Sequence, residues 1–340
     1  MLENKPHRSR GAAWGLIGAL ILAACARSGV VKEPAAVAPG GPSLATSSVV
    51  ASATQPGPPT ARGEQTTTVS CPPGTTRLAG GVEAFLSTGK APNPSLRVVG
   101  TVADSTPDGW QSIIATGGIE QADSRVSALA VCGRGVKAVR ATVVTTPAPG
   151  PTAAASDALA TATCPAGTVL VGGGAAVSLV NGQEGPPQYF VTGSFPSSRT
   201  GVPSATGSVP TSWTAIGALG GMGMTNGQVR ALAVCLPGSS ASVNVVVSTF
   251  LGPTAAQTAR EVTATCPAHT VLTGGGVYTG PAQLQHTLQG LHLRGSFPSD
   301  ALGMAASAGT SATSWSVIAN AGGILAVGAR TTSFALCTAG

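Results

Sequence analysis

Seven cysteines are the residues of this chain whose type and spacing best suit covalent chemistry. They are Cys25, Cys71, Cys132, Cys164, Cys235, Cys266 and Cys337. The last six are spread over the chain from residue 71 onwards. An even number of cysteines at regular intervals indicates a disulfide framework in an exported protein. Cys25 stands apart from this set and needs a different explanation.

Histidines and carboxylates give little support for catalysis or metal binding. Beyond the first ten residues the histidines are His269, His286 and His292. His286 and His292 would lie about 20 Å apart on a strand, too far to share a metal ion, so we predict that they are exposed in a loop. Asp104 and Asp108 are close in sequence, but Asp300 is their sole near-equivalent elsewhere. Since no nucleophile–base pair is supported, we expect no enzyme, no metal and no cofactor.

The composition limits the possible partners and the size of the core. Charged residues make up 9% of the chain and are scattered, although the net charge is +6. A nucleic-acid-binding protein would need a dense basic stripe, so we expect no nucleic-acid partner. Aromatic residues make up 4%, which predicts thin cores that disulfides would help to stabilise.

The N-terminus has the three parts of a bacterial export signal. Lys5, Arg8 and Arg10 precede an apolar run from residue 11 to 24. As a helix this run reaches about 21 Å, which is short of a bilayer's hydrocarbon core of about 30 Å. It ends in Leu-Ala-Ala-Cys at residues 22–25, which resembles the lipobox of bacterial lipoproteins.

That resemblance implies cleavage before Cys25 and a lipid on its thiol, which accounts for the seventh cysteine. We therefore expect a signal peptide at 1–24 and a lipidated flexible tether at 25–47, rich in Gly, Pro, Ala and Ser. The implied location is extracytoplasmic, anchored by the lipid to the cell membrane or the outer membrane. Ala26 after the lipid cysteine is compatible with the outer membrane.

The remaining chain repeats one pattern three times, over residues 48–140, 141–242 and 243–340. Each repeat has an opening cysteine, a glycine-rich cluster, a glycine 29 residues after that cysteine, a tryptophan and a closing cysteine 22 residues after the tryptophan. Repeats 2 and 3 carry ten more residues between that glycine and the tryptophan, which marks a surface loop. Pairing within repeats gives Cys71–Cys132, Cys164–Cys235 and Cys266–Cys337. The alternative joins neighbouring repeats, for example Cys132 with Cys164, and would leave Cys71 to pair with Cys337.

Short runs of Val, Thr, Ile and aromatic residues between Gly and Pro predict strands. The fold class is therefore all-β, with three homologous disulfide-stapled units of about 95 residues following the signal helix and the disordered tether. We expect Trp110, Trp213 and Trp315 in the core rather than as sugar-stacking platforms. The glycine clusters indicate bulges or close backbone packing rather than phosphate loops, and Gly-Ser-Phe-Pro at 193–196 and 295–298 indicates turns.

Three stretches of constant length but variable sequence suggest recognition loops. They are Val82–Val99, Ala175–Thr192 and Val277–Arg294. Tyr189, Phe190, Tyr278 and His286 within them are candidate contacts for a glycan or an envelope protein. The sequence therefore favours a non-enzymatic binding or adhesion lipoprotein, with a structural envelope protein as the alternative and an exported hydrolase as a weaker one.

The Cys-Pro-x-Gly opening motif and the threefold count loosely resemble the vitelline membrane outer layer proteins. Those proteins fold as a three-sided β-prism, although the units here are longer. The resemblance implies a pseudo-threefold packing of the repeats, beside the alternative of a linear string of β-sandwiches. It implies nothing about function.

Overall fold

A computed structural model of the chain describes residues 44–88, 95–106, 108–136, 141–180, 188–238, 242–281, 290–322 and 327–340. These residues form eighteen β-strands, six in each repeat, and no helix. Repeat 1 contributes β1 (Ser47–Pro56), β2 (Glu64–Ser70), β3 (Thr76–Leu86), β4 (Leu96–Ala103), β5 (Gly109–Thr116) and β6 (Ser124–Arg134). Repeat 2 contributes β7 (Thr142–Pro149), β8 (Asp157–Thr163), β9 (Thr168–Leu179), β10 (Tyr189–Ser197), β11 (Ser212–Leu219) and β12 (Gly227–Pro237). Repeat 3 contributes β13 (Val243–Leu251), β14 (Ala259–Thr265), β15 (Thr270–Gly280), β16 (Leu291–Ser299), β17 (Ser314–Ala321) and β18 (Arg330–Ala339). The signal, Cys25, most of the tether and His286 lie outside the described residues.

The strands form three six-stranded sheets, and each sheet is shared by two repeats. Sheet I has the order β1-β6-β3-β16-β17-β14, sheet II β2-β5-β4-β9-β12-β7, and sheet III β13-β18-β15-β10-β11-β8. In each sheet the third strand of one repeat pairs with the fourth strand of another. The pairing is cyclic, since repeat 1 joins repeat 3, repeat 3 joins repeat 2 and repeat 2 joins repeat 1. The linear string of separate sandwiches is therefore wrong, and the repeats have a pseudo-threefold arrangement.

The disulfides join the sheets in pairs, as predicted within each repeat. Cys71–Cys132 links sheets I and II, Cys164–Cys235 links sheets II and III, and Cys266–Cys337 links sheets I and III. In every case the opening cysteine follows the second strand and the closing cysteine lies in the sixth. Because the second and sixth strands of a repeat belong to different sheets, each disulfide within a repeat also joins two sheets.

Each tryptophan fills the space between sheets, as the sequence predicted. Trp110, Trp213 and Trp315 are 0%, 0% and 1% exposed. Each indole N–H donates a hydrogen bond to a hydroxyl of the fourth strand, at 2.9–3.0 Å. The acceptors are Thr101, Ser194 and Ser296. A buried tryptophan thus has a partner for its polar atom in all three repeats.

The glycine clusters are places of close backbone packing. A β-carbon on Gly80, Gly173 or Gly275 would lie within 2.4 Å of its own repeat's indole ring. One residue earlier, Ala79, Gly172 and Gly274 meet near the pseudo-threefold axis. A β-carbon on Gly274 would lie 2.7 Å from the Ala79 β-carbon and 3.2 Å from the Gly172 α-carbon. A register shift precedes each of these residues, so the predicted bulges are present as well.

The Gly-Ser-Phe-Pro segments are strands rather than turns, so that expectation was wrong. Gly193 to Pro196 and Gly295 to Pro298 lie inside β10 and β16. Each glycine follows a register shift against the fifth strand. The glycine therefore marks a bulge, and Phe195 and Phe297 point into the core with 0% and 1% exposure.

Candidate binding end

All repeats place the same connections at the same end of the molecule. The start of β1 pairs with the end of β6, where Val49 faces Cys132. The described chain therefore enters at the end that carries the disulfides, which we call the disulfide end. The connections between the first and second, third and fourth, and fifth and sixth strands all lie at the other end, which we call the loop end.

Two of the predicted binding side chains are buried rather than presented by loops. Tyr189 and Phe190 begin β10 and are 0% and 5% exposed. Burial raises the pKa of the Tyr189 phenol. The expectation that these side chains contact a ligand from a loop is wrong, because β10 begins earlier than the variable stretch suggested.

Tyr278 also lies in a strand, β15, and is half-buried. Its hydroxyl donates a hydrogen bond to the Pro281 carbonyl at 3.1 Å, and its ring packs edge-on against Phe195 at 5.8 Å between centroids. Burial, with a contribution from the charge of Asp157, raises the pKa of Tyr278 to about 12. These contacts give Tyr278 a packing role between repeats 2 and 3.

Phe190 belongs to a cluster that only the threefold arrangement assembles. Arg97, Phe190 and His292 each stand three residues before the glycine that follows the opening cysteine of their repeat by 29 residues. The Arg97 guanidinium carbon lies 5.1 Å from the Phe190 ring centre, and the Phe190 and His292 rings are 6.2 Å apart. Burial lowers the pKa of Arg97. The three side chains pack together where the repeats meet near the loop end.

His292 is a correction to the sequence-based prediction of an exposed loop histidine. It lies in β16, is 1% exposed, and its Nδ1 is 3.1 Å from the Gly290 carbonyl. His269 is exposed and takes a positive φ of 62°, at the turn position that Gly74 and Gly167 occupy in the other repeats.

The carboxylates weighed as catalytic candidates accept hydrogen bonds within or beside turns. Asp104 accepts hydrogen bonds from the Ser105 backbone N–H and the Thr106 hydroxyl. Asp108 accepts one from the Arg77 backbone N–H at 3.0 Å, and Asp300 accepts two from backbone N–H groups of its own loop. Within the described ranges no group of three or more His, Cys, Asp or Glu side chains could hold a metal ion.

The loop end carries exposed apolar side chains that the sequence analysis missed. Ile119 and Met222 are 55% and 57% exposed and stand nine residues after the tryptophan in repeats 1 and 2. Ile324 holds this position in repeat 3 but lies outside the described residues. The available signal was a Gly-Gly-Ile or Gly-Gly-Met triplet in every repeat, at 117–119, 220–222 and 322–324. Further exposed apolar side chains at this end are Val180, Phe250, Leu251 and Val327.

A shallow cleft of about 370 Å³ opens at the loop end of repeat 2. Its lining is uncharged and consists of Pro147, Ala148, Pro149, Gly150, Thr152, Val180, Asn226, Gly227 and Gln228. Proline rings and valine supply apolar contact, while the threonine hydroxyl and two side-chain amides supply hydrogen-bonding groups. The cleft is suited to a neutral ligand rather than to an ion.

No protein family model matches the chain, and no curated protein matches it. Within the residues that the structure describes, no helix is long and apolar enough to cross a membrane.

Proposed function

We propose that this protein is a non-enzymatic surface lipoprotein that is held by lipid on Cys25 and binds an extracytoplasmic glycan or protein through its loop end. The observation that carries the proposal is that the two ends of the molecule differ. The described chain enters at the disulfide end, and the loops that carry Ile119 and Met222 lie at the opposite end. An anchor on the tether would therefore leave the loop end facing away from the membrane.

Exposed apolar side chains at equivalent loop tips favour binding over a purely structural role. A structural envelope protein would be expected to have polar loops, whereas Ile119 and Met222 expose apolar side chains at their loop tips. Ile119 and Met222 occupy the same position in two repeats, at the end opposite to the entry of the described chain. The uncharged cleft on repeat 2 lies at the same end and offers proline faces and amide groups to a sugar or a peptide.

The anchor is tested by labelling cells with a radioactive or clickable palmitate. We expect label on the wild-type protein and none on Cys25→Ala, which should also leave the membrane fraction. Label that persists in Cys25→Ala would contradict lipidation at this residue.

Binding is tested with the oxidised fragment from residue 28 to 340 against a panel of glycans, cell-wall polymers and envelope proteins. We expect saturable binding that weakens about thirtyfold in the double variant Ile119→Ser/Met222→Ser, since each change removes about 1 kcal/mol of apolar contact. Leu302→Ser is the matched control, because Leu302 is 89% exposed but lies at the disulfide end. An equal loss in Leu302→Ser, or unaltered binding in the double variant, would rule out the loop end as the binding face.

A further inference from the structure

Repeats 2 and 3 use their ten-residue insertion to cover the edge strand of a neighbouring repeat. In repeat 2, the Gly207 N–H donates to the Val245 carbonyl at 2.8 Å and the Val245 N–H donates to the Ser208 carbonyl at 3.1 Å. The Val247 N–H also donates to the Thr206 hydroxyl at 3.0 Å. The insertion of repeat 2 therefore caps the outer edge of β13.

The insertion of repeat 3 caps β1 in the same way. The Gly309 N–H donates to the Val50 carbonyl and the Val50 N–H donates to the Thr310 carbonyl, both at 2.8 Å. The Ser311 hydroxyl adds a bond to the Ser48 carbonyl at 2.8 Å. In both repeats the capping turn has a glycine with positive φ followed by Ser or Thr. Val50 and Val245, whose backbone groups point to the outer edge, are buried beneath this turn, with 1% and 0% exposure.

Repeat 1 lacks the insertion, and the edge that it would cap is β7. Register identifies the equivalent residue, because Thr142 faces Cys235 as Val49 faces Cys132 and Asn244 faces Cys337. Val143 therefore corresponds to Val50 and Val245. Outside β12, no described residue makes a backbone hydrogen bond to Val143 or Thr145. The Val143 side chain remains partly exposed, unlike its two equivalents.

Two prolines limit the open edge to a short stretch. Along β7, every second residue has its backbone N–H and C=O directed away from β12. Pro147 and Pro149 continue this set after Val143 and Thr145. Repeats 1 and 3 have Thr54 and Thr249 in place of Pro147. Because proline has no N–H to offer, the edge beyond Thr145 cannot continue a hydrogen-bonded ladder. The open part of the β7 edge, from Thr142 to Thr145, is long enough for one turn or one short extended segment.

We propose that β7, from Thr142 to Thr145, docks a short uncharged segment of a partner protein that presents a glycine followed by Ser or Thr. The occupant is inferred from the molecule itself, because two homologous edges already hold this chemistry at 205–208 and 307–310. No ionisable side chain lies in β7, so recognition would come from main-chain hydrogen bonds and burial of Val143. This site is distinct from the loop end, since the open part of β7 begins opposite Cys235 at the disulfide end.

The test uses the full chain and a synthetic peptide, Pro-Ser-Ala-Thr-Gly-Ser-Val-Pro, with the sequence of residues 203–210. Amide hydrogen exchange is followed by mass spectrometry at millimolar peptide. We expect slower exchange in fragments covering β7, and no change in fragments covering β1 and β13, whose edges are already occupied. A peptide with N-methylglycine in place of glycine should not protect β7, because it lacks the donated N–H.

Two variants of the protein complete the test. Val143→Pro removes one outward N–H, in the pattern of Pro147 and Pro149, and should weaken peptide binding about fivefold to tenfold. A graft of residues 198–211 in place of 105–108 should cap β7 internally and abolish peptide binding while the fold is kept. Absence of protection of β7 in the wild type, or protection that persists in the graft, would overturn the proposal. Protection that rises with protein concentration without peptide would instead assign the edge to a second copy of this chain.

Discussion

The interior of this protein makes the same contacts in all three repeats. The strand pairs that join one repeat to the next, which we call the seams, are β3 with β16, β9 with β4 and β15 with β10, and their contacts differ. Each repeat buries one tryptophan against one glycine and donates one indole hydrogen bond to a hydroxyl. At the seams, the residue that faces the conserved glycine of the neighbouring strand is Glu83, Ala176 or Tyr278. One seam is thus ionisable, one is small and apolar, and one is aromatic.

This difference teaches what a repeated unit can and cannot specify. Identical cores give no preference for one neighbour over another. Different seams do give such a preference. If a repeat paired with the wrong neighbour, Glu83 would lie against an apolar strand, or Tyr278 would lose its contact with Phe195. The arrangement of the repeats is therefore specified where their sequences diverge.

The largest effect is expected from removing an interior tryptophan. Trp213→Ala should lower the free energy of unfolding by about 3–5 kcal/mol, because it leaves a cavity and an unpartnered Ser194 hydroxyl. Trp110→Ala and Trp315→Ala should cost a similar amount if the interiors are equivalent. Denaturant unfolding of the oxidised protein measures all three. Losses of unfolding free energy that differ between repeats by more than about 2 kcal/mol would show that the three interiors are not equivalent.

A methyl group on an interior glycine should have the next largest effect. Gly173→Ala would place a β-carbon 2.2 Å from the Trp213 ring and 2.4 Å from the Leu232 carbonyl oxygen. Overpacking of this kind costs about 1–3 kcal/mol, measured as a lower midpoint of thermal unfolding. Gly118→Ala is the matched control, since nothing lies within 4 Å of its would-be β-carbon. Equal stability of the two variants would contradict close packing at the glycine cluster.

The ionisable seam should make stability depend on pH. Burial raises the pKa of Glu83, and nearby Arg294 lowers it in part while Glu261 raises it further. The pKa of Glu261 is also raised by burial. A carboxyl that holds its proton more tightly when folded stabilises the fold below its ordinary pKa and loses that contribution as pH rises through the folded value.

Unfolding measured across this window should therefore show stability falling as pH rises from about 4.5, the ordinary value for glutamate. Glu83→Gln should flatten the fall, with Glu120→Gln as the control at an exposed glutamate outside the seam. An unchanged pH profile in Glu83→Gln would show that ionisation of Glu83 is not coupled to folding.

The smallest effect is expected at the aromatic seam. Tyr278→Phe removes the hydrogen bond to the Pro281 carbonyl but keeps the ring against Phe195. The loss should be about 1 kcal/mol or less. Tyr278→Ala should cost clearly more, because the packing between repeats 2 and 3 goes with the ring. If the two variants were equally stable, Tyr278 would not contribute to the seam.

Much of the fold could be predicted from the sequence because its signals are repeated in register. Cysteine spacing gave the three disulfides, and the buried role of the tryptophans followed from their regular position among strand-forming residues. The prediction is wrong at Tyr189, Phe190 and His292, because their variable sequence indicates a loop but they lie in β10 and β16. Phe190 and His292 meet each other across repeats, whereas Tyr189 packs beside Gly217 and Gly227 of its own repeat. The variable residues therefore make unlike contacts inside the protein.

The sequence by itself determined the strand-forming pattern and the place of the insertion, since both depend on local composition and spacing, and it favoured cysteine pairing within repeats over pairing between them. Only the tertiary structure decided that every sheet is shared by two repeats, that the glycines meet near an axis, and that two edges are capped while β7 is open. The physical reason is that hydrogen bonds between strands of different repeats join residues far apart in the chain. No local pattern specifies which of several similar strands will be the partner.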